Sequence, residues 1–142
     1  MVIFLILLGC LLVILVLGKR EPADLTLPKV SIITGVDHYL EQKEKEVLGL
    51  QPGVCKEVIW AGKKGKKTKF SIIFLHGFSA SKFELSPFPN AIALGLNANL
   101  YNARLSGHGC GGEALGKVKV KDWIFDLSEA LEIGRKIGEK II

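Results

Sequence analysis

The stretch FLHGFSAS, Phe74 to Ser81, sets a serine two residues after a glycine, directly behind the apolar run KFSIIFL. That run reads as a buried strand. Two chemistries compete for such a turn. A nucleophilic serine needs G-x-S-x-G, because small residues on both sides let a strained turn fit between strand and helix. Here the string is Gly77-Phe78-Ser79-Ala80-Ser81, one residue short of that pattern, and no general base stands beside it. Ser79 therefore reads as a helix cap or a lining residue. The other chemistry belongs to the backbone. A His-Gly pair at a strand end lets the main chain approach a ligand closely, and the N–H of Phe78 is then free to face a developing oxyanion. Such a donor contributes about 3 kcal/mol of transition-state stabilisation in acyl transfer. His76 is expected to be buried there and bonded to backbone groups instead of titrating as a base.

Outward from this turn the chain divides by composition. MVIFLILLGCLLVILVLG carries no charged side chain from Met1 to Gly18, and Lys19-Arg20 close it. As a helix the run spans on the order of 27 Å, close to the ~30 Å hydrocarbon core of a bilayer. Residues 1–18 are expected to form a single membrane-spanning anchor or uncleaved signal, because no basic segment precedes the run and no A-x-A-like site follows it. Leu7-Leu8-Gly9-Cys10 resembles a lipobox, but too few apolar residues precede the cysteine. Lys19 and Arg20 bias the remainder weakly toward the cytoplasm. Residues 19–35, with two prolines and no clear period, read as a linker.

Residues 36–142 carry the α/β part. VDHYLEQKEKEV (Val36–Val47) is expected as a short helix capped by Asp37. KEVIWA and KFSIIFL read as the two strands of a hairpin. Lys82–Leu94 is a helical candidate, with Pro87 and Pro89 in an irregular first turn. A short strand near Asn99–Ala103 and a glycine-rich loop reaching Lys121 follow. DWIFDLSEALEIGRKIGEKII is the last helix, with Asp122 as N-cap and Trp123, Leu127, Ala130, Ile137 and Ile141 on one face. Strands alternating with helices predict a sheet with mostly parallel neighbours.

Other patterns point less far. The net charge of +5 comes largely from GKKGKKTK, Gly62 to Lys69. No aromatic platform or helix accompanies it, so it reads as a solvated hairpin loop and not a nucleic-acid site. Gly107-His108-Gly109-Cys110-Gly111-Gly112 satisfies G-x-G-x-x-G, yet no helix is expected to open at its last glycine, as a dinucleotide site requires. His76, His108 and Cys110 lack a fourth ligand in close spacing for a metal. Neither a cofactor nor a metal is expected. Cys10, Cys55 and Cys110 form no CxxC pair; a Cys55–Cys110 bridge is conceivable, and free thiols are the simpler reading.

Together these residues carry a likeness. SIIFLHGFSASKFELSPFPNAIALGLNANLYNARLSGHG (Ser71–Gly109), followed by DWIFDLSEALEIG, resembles the N-terminal half of α/β-hydrolase-fold proteins of the esterase and monoacylglycerol-lipase-like kind. The matching pieces are HGF at Gly77, RLSGHG from Arg104 to Gly109, and the D-W-x-x-D start at Asp122 and Asp126, within a likeness spanning roughly residues 56–142. The resemblance implies a mostly parallel sheet with an active site at the strands' C-terminal ends. It also implies an oxyanion-hole N–H from Phe78, with His76, Gly77, Ser79 and His108 lining the site and neither histidine acting as the base. The nucleophile elbow would follow the next strand, with the acid and histidine later still. None of the 142 residues completes a G-x-S-x-G, and all three triad positions are missing. The expected protein is thus the front of a membrane-anchored serine hydrolase for carboxylic esters or acylglycerols, inactive without the C-terminal half of the fold. The alternative is a non-catalytic, membrane-anchored binding module. Lacking the elbow strand, Ser71–Leu75 is expected to present an unpaired apolar edge.

Overall fold

A computed structural model describes residues 2–18, 20–21 and 24–142. The apolar run behind His76 is β2 (Thr68–Phe74), and it is paired along both edges. On one side it runs parallel to β3 (Asn99–Asn102), from Ser71↔Asn99 to Phe74↔Asn102. On the other it runs parallel to β4 (Gly138–Ile141), from Thr68↔Gly138 to Ser71↔Ile141. β1 (Glu57–Ile59) closes the far edge, antiparallel to β3. The sheet order is β1-β3-β2-β4.

Two expectations fail here, for related reasons. KEVIWA and KFSIIFL do not form a hairpin, because β1 pairs with β3 and the lysine-rich loop carries the chain across that strand. β3 is buried at all four positions, so both of its edges need backbone partners. Nor is Ser71–Leu75 an unpaired edge. The last residues, expected as helix, turn into β4 directly at Gly138. A Cβ on Gly138 would lie 2.5 Å from the Ser71 nitrogen, so only glycine lets helix and sheet meet this closely. The outer edge is now β4, and its exposed Glu139 and Lys140 are the kind of charges that discourage strand addition.

Helices cover both faces of the sheet, the layered solution for strands buried on two sides. α2 (Val36–Lys45) and α5 (Val120–Ile137) pack on one face with Tyr101, Ala130, Ile133 and Ile137 at the centre of the cluster. α3 (Phe88–Leu96) covers the other, where Ile72, Ala93, Ala98 and Leu100 meet. Consecutive residues of a strand point to opposite faces, so Leu100 and Tyr101 serve the two clusters in turn. α4 (Gly112–Gly116) is a single short turn inside the glycine-rich loop.

Helix starts differ from the expected ones. Gly35, not Asp37, is the N-cap of α2; Asp37 instead accepts the Trp60 indole N–H at 3.2 Å. The helix expected from Lys82 begins only at Phe88, after a run of turns. α5 begins at Val120 with Lys119 as N-cap, and Asp122 sits at the third position, accepting the Lys119 N–H at 2.8 Å. Its buried face also carries Asp126, Ser128 and Glu129, three polar residues that a purely apolar stripe would not include.

α1 (Val2–Leu17) has 16 residues and no buried side chain. Its rise of about 24 Å falls short of the ~30 Å bilayer core. Among the described residues no helix is long and apolar enough to cross a membrane, so the spanning helix expected over residues 1–18 is not supported by the fold.

The Gly138–Ser71 contact is open to direct test. Gly138→Val should destabilise the protein by about 1–3 kcal/mol through overpacking against a backbone that cannot yield. Urea unfolding followed by far-UV circular dichroism should show the loss, and an unchanged midpoint would refute the contact.

Candidate functional site

β2 and β3 run in the same direction, so the HGF turn after β2 and the RLSGHG loop after β3 emerge at one end of the sheet. There His76 and His108 come together, ring centroids 4.8 Å apart in an edge-to-face arrangement. Both are buried. Each ring spends both nitrogens on the main chain. His76 Nδ1 lies 2.9 Å from the Gly77 carbonyl, and its Nε2 accepts the Leu105 N–H at 3.2 Å. His108 Nδ1 lies 3.2 Å from the Ser106 carbonyl, and its Nε2 accepts the Ser79 N–H at 3.0 Å. A carbonyl can only accept and an amide can only donate, so both rings carry their proton on Nδ1. Neither has a lone pair left to take a proton from a substrate or a serine. Burial pushes His76 below its ordinary value, against the opposing pull of the Gly77 carbonyl.

The turn itself is held from three sides. Glu84 accepts the Gly77 N–H at 2.7 Å, and a Cβ at Gly77 would come within 2.8 Å of that carboxylate. The Gly77 carbonyl takes both the His76 Nδ1–H and, at 3.3 Å, the Ala80 N–H. The Gly77–Phe78 peptide is trans, so its N–H points opposite to that clamped carbonyl. Among the described residues the Phe78 N–H donates to no protein group. Ser79 adopts the left-handed conformation at φ 59°, which turns its own N–H toward His108. It caps no helix, since α3 starts at Phe88. The Phe78 ring is exposed and stands edge-on to Trp123 at 6.3 Å. A cleft of ≈ 590 Å³ opens beside the turn, lined among others by Ser79, Ser81, Glu84, His108 and Leu115.

Residues to which the sequence alone gave no supporting role hold the RLSGHG loop. Arg104 is buried and forms two bonds to Glu44, Nε to Oε2 at 3.0 Å and Nη2 to Oε1 at 2.9 Å; its Nη1 donates to the His108 carbonyl at 3.1 Å. Asp126 accepts the Ser106 N–H at 2.6 Å, and burial raises its carboxyl while Lys56, 3.7 Å away, pulls it back down. Lys56 also binds Glu129, which takes the Tyr39 hydroxyl at 2.7 Å. The signal was present: two carboxylates on the inward stripe of α5 require buried cations.

Two glycines of this loop serve packing. Gly107 and Gly109 have φ +78° and +77°, and a Cβ on either would strike Val118 or Val54. Gly111 and Gly112 face open space, but the helix after Gly111 is only five residues long, too short to present the N-terminus that a pyrophosphate needs. Among the described residues no group of three or more His, Cys, Asp or Glu could hold a metal ion; Cys110 Sγ instead lies 3.7 Å from the His108 carbonyl. Cys55 and Cys110 are free thiols, so the conceivable bridge is not formed.

No family model matches this chain, and no curated protein matches it.

Two predictions concern this site. Arg104→Met leaves Glu44 buried without its partner and should cost about 3–5 kcal/mol, readable by urea denaturation. The second concerns pH. His76 titrates below its ordinary 6.5 in the folded protein, so the unfolded chain takes up its proton first. Stability should be complete above pH 6.5 and fall as pH drops through the window below it. Urea midpoints measured along a pH series should show that decline, and His76→Gln should reduce it.

Proposed function

We propose that residues 56–142 are the front of a serine hydrolase of the α/β-hydrolase kind, acting on carboxylic esters or acylglycerols, in which the Phe78 N–H is one of the oxyanion donors. The observation that carries this reading is the clamped Gly77–Phe78 peptide. It ends a central parallel strand, and among the described residues its N–H has no protein partner. An oriented amide that needs no reorganisation is what stabilises a developing negative charge. β4 lies beside β2, the neighbour that the resembled fold uses to carry its nucleophile elbow. The serine that this turn would serve is not among the 142 residues, and His76 and His108 have no free nitrogen to activate one.

We further propose that α1 enters a lipid bilayer. All of its large apolar side chains are exposed, from Val2 to Leu17, and no element of the described fold covers them. Sixteen residues with no charge have no stable place in water.

The lack of a nucleophile–base pair favours a second reading, a membrane-anchored module that binds a partner without catalysis. One experiment separates the two. The 142-residue chain should hydrolyse no short-chain ester and take up no fluorophosphonate label. An in-frame product extended past Ile142 through a G-x-S-x-G should do both. In that product, replacing the Phe78 amide by an ester linkage removes the N–H and should lower kcat about 10²–10³-fold with little change in KM. An unchanged kcat would eliminate Phe78 as an oxyanion donor, and no reading frame containing such a serine would favour the binding module.

A further inference from the structure

We propose that the loop rim around the His76–Gly77 turn lies against the same lipid surface that α1 enters, so that the site end of the sheet, not its lysine-rich opposite end, faces the bilayer. This rests on the membrane reading of α1 above and adds which face of the protein meets the lipid.

The tether comes first. Glu21 Oε1 accepts the N–H of Val120, the first residue of α5, at 3.1 Å. Gly18 precedes Glu21 by three residues, a reach of at most about 11 Å. Further along, the Ser128 hydroxyl of α5 donates to the Pro28 carbonyl, and Ile32 is buried in the α2–α5 cluster. The segment leading from α1 is thus pinned along α5, and its membrane-proximal end sits at the start of that helix. Three residues into α5, Trp123 donates to the Ser106 carbonyl at 3.2 Å and faces Phe78. The anchor therefore leaves the body beside the candidate site.

The rim exposes several large apolar side chains among its polar ones. Leu48 is 90% and Phe78 74% accessible, and Phe83, Leu85 and Phe88 are also exposed. They come from separate segments. Leu48 precedes Gln51, whose N–H bonds the Gly109 carbonyl, and the others lie between β2 and the first turn of α3. Charges on this rim are partly matched, Lys82 with Glu57 and Lys117 with Glu113; Glu84 accepts the Gly77 N–H, and Lys119 and Lys121 stand exposed beside the tether, where lysines suit a headgroup layer. Aromatic and aliphatic side chains gathered at one end suit the boundary between headgroups and acyl chains.

The opposite end has the other character. α5 runs antiparallel to the strands, so its last residue, Ile137, lies about 20 Å below Trp123. At that level Asn99 Nδ2 bonds both the Ile137 and Lys66 carbonyls, which sets the exposed lysines 63, 64, 66 and 67 far from the tether. An anionic surface would attract this loop, so the two faces make opposite predictions.

The chain contains two tryptophans, one at each end. Trp123 stands at the rim; Trp60 precedes Ala61, whose N–H bonds Asn99 at the lysine end. The full chain would be bound to phosphatidylcholine vesicles with brominated acyl chains, and to vesicles in which part of that lipid is phosphatidylserine. Trp60→Phe isolates the Trp123 emission, and Trp123→Phe isolates that of Trp60. The expected result is loss of Trp123 emission with Trp60 emission retained, in both vesicle types. Hydrogen exchange on the unaltered chain provides a reading free of substitutions, with protection gained on binding at residues 48–53 and 78–88 and none at 62–69. Quenching of Trp60 instead, of both equally, or of neither in vesicle-bound protein overturns the proposed orientation while leaving the anchor reading intact. Failure of the chain to bind vesicles at all overturns the anchor reading and the orientation with it.

Discussion

Ser71 has no exposed surface, and its backbone is held from both sides, opposite Asn99 in β3 and Ile141 in β4. Its hydroxyl donates to the Gly134 carbonyl at 2.9 Å, and its own carbonyl accepts the Ile142 N–H at 2.8 Å. Gly138 rests directly on it. One small polar residue thus ties the central strand to the last turns of α5 and to the strand that follows. A larger side chain at Ser71, Gly134 or Gly138 would push helix from sheet, because backbone and not flexible side chain lies on the other side of at least one of these contacts. The direction of β2, and hence the place where its C-terminal turn emerges, depends on this junction.

At the other end of the strands a polar scaffold takes over from apolar packing. Two cations, Lys56 and Arg104, face three carboxylates, Glu44, Asp126 and Glu129, all with little exposure. Burying so many charges is costly unless each is bonded, and here each is. Their bonds reach the backbone at Lys56, Ser106 and His108, so the network fixes the path of a loop rich in left-handed glycines that could not fix itself. The Tyr101 hydroxyl, buried among the same carboxylates, is the exception, with no bonding partner among the described residues. The two histidines continue the same function. Each bridges one loop to the other through its ring nitrogens, which binds the HGF turn to the RLSGHG loop and withdraws both rings from acid–base chemistry.

Much of this was legible along the chain. The run FSIIF before a His-Gly pair has the composition and length of a buried strand, and Asn99 to Asn102 and the start of α5 near Asp122 were close to where periodicity put them. The pairing of the strands was not legible. Two strand-like runs separated by a glycine-containing loop read as a hairpin by local rules, and only the burial of β3 on every residue shows that β1 belongs beside it. β4 was missed because GEKII continues the helical pattern of α5. Its strand conformation comes from partners seventy residues earlier in the chain, which no local window contains. Asp37 and Ser79 were read as caps because their types favour that position, whereas tertiary partners claimed the Asp37 carboxylate and the Ser79 amide first.

The sequence by itself determined the turn chemistry and the partition of the chain: an uncharged apolar helix at the front, an α/β body behind it, and a glycine after His76 where the main chain must come close to other groups. Those features depend on residue type and near neighbours, which a linear reading contains. Only the tertiary structure decided which strands pair, which carboxylates are buried with which cations, and which way the amide of Phe78 points. Each of these is set by contacts between residues far apart in the chain, where burial removes water as a competing partner and, among the described residues, leaves the Tyr101 hydroxyl as the one buried side-chain polar atom without a partner.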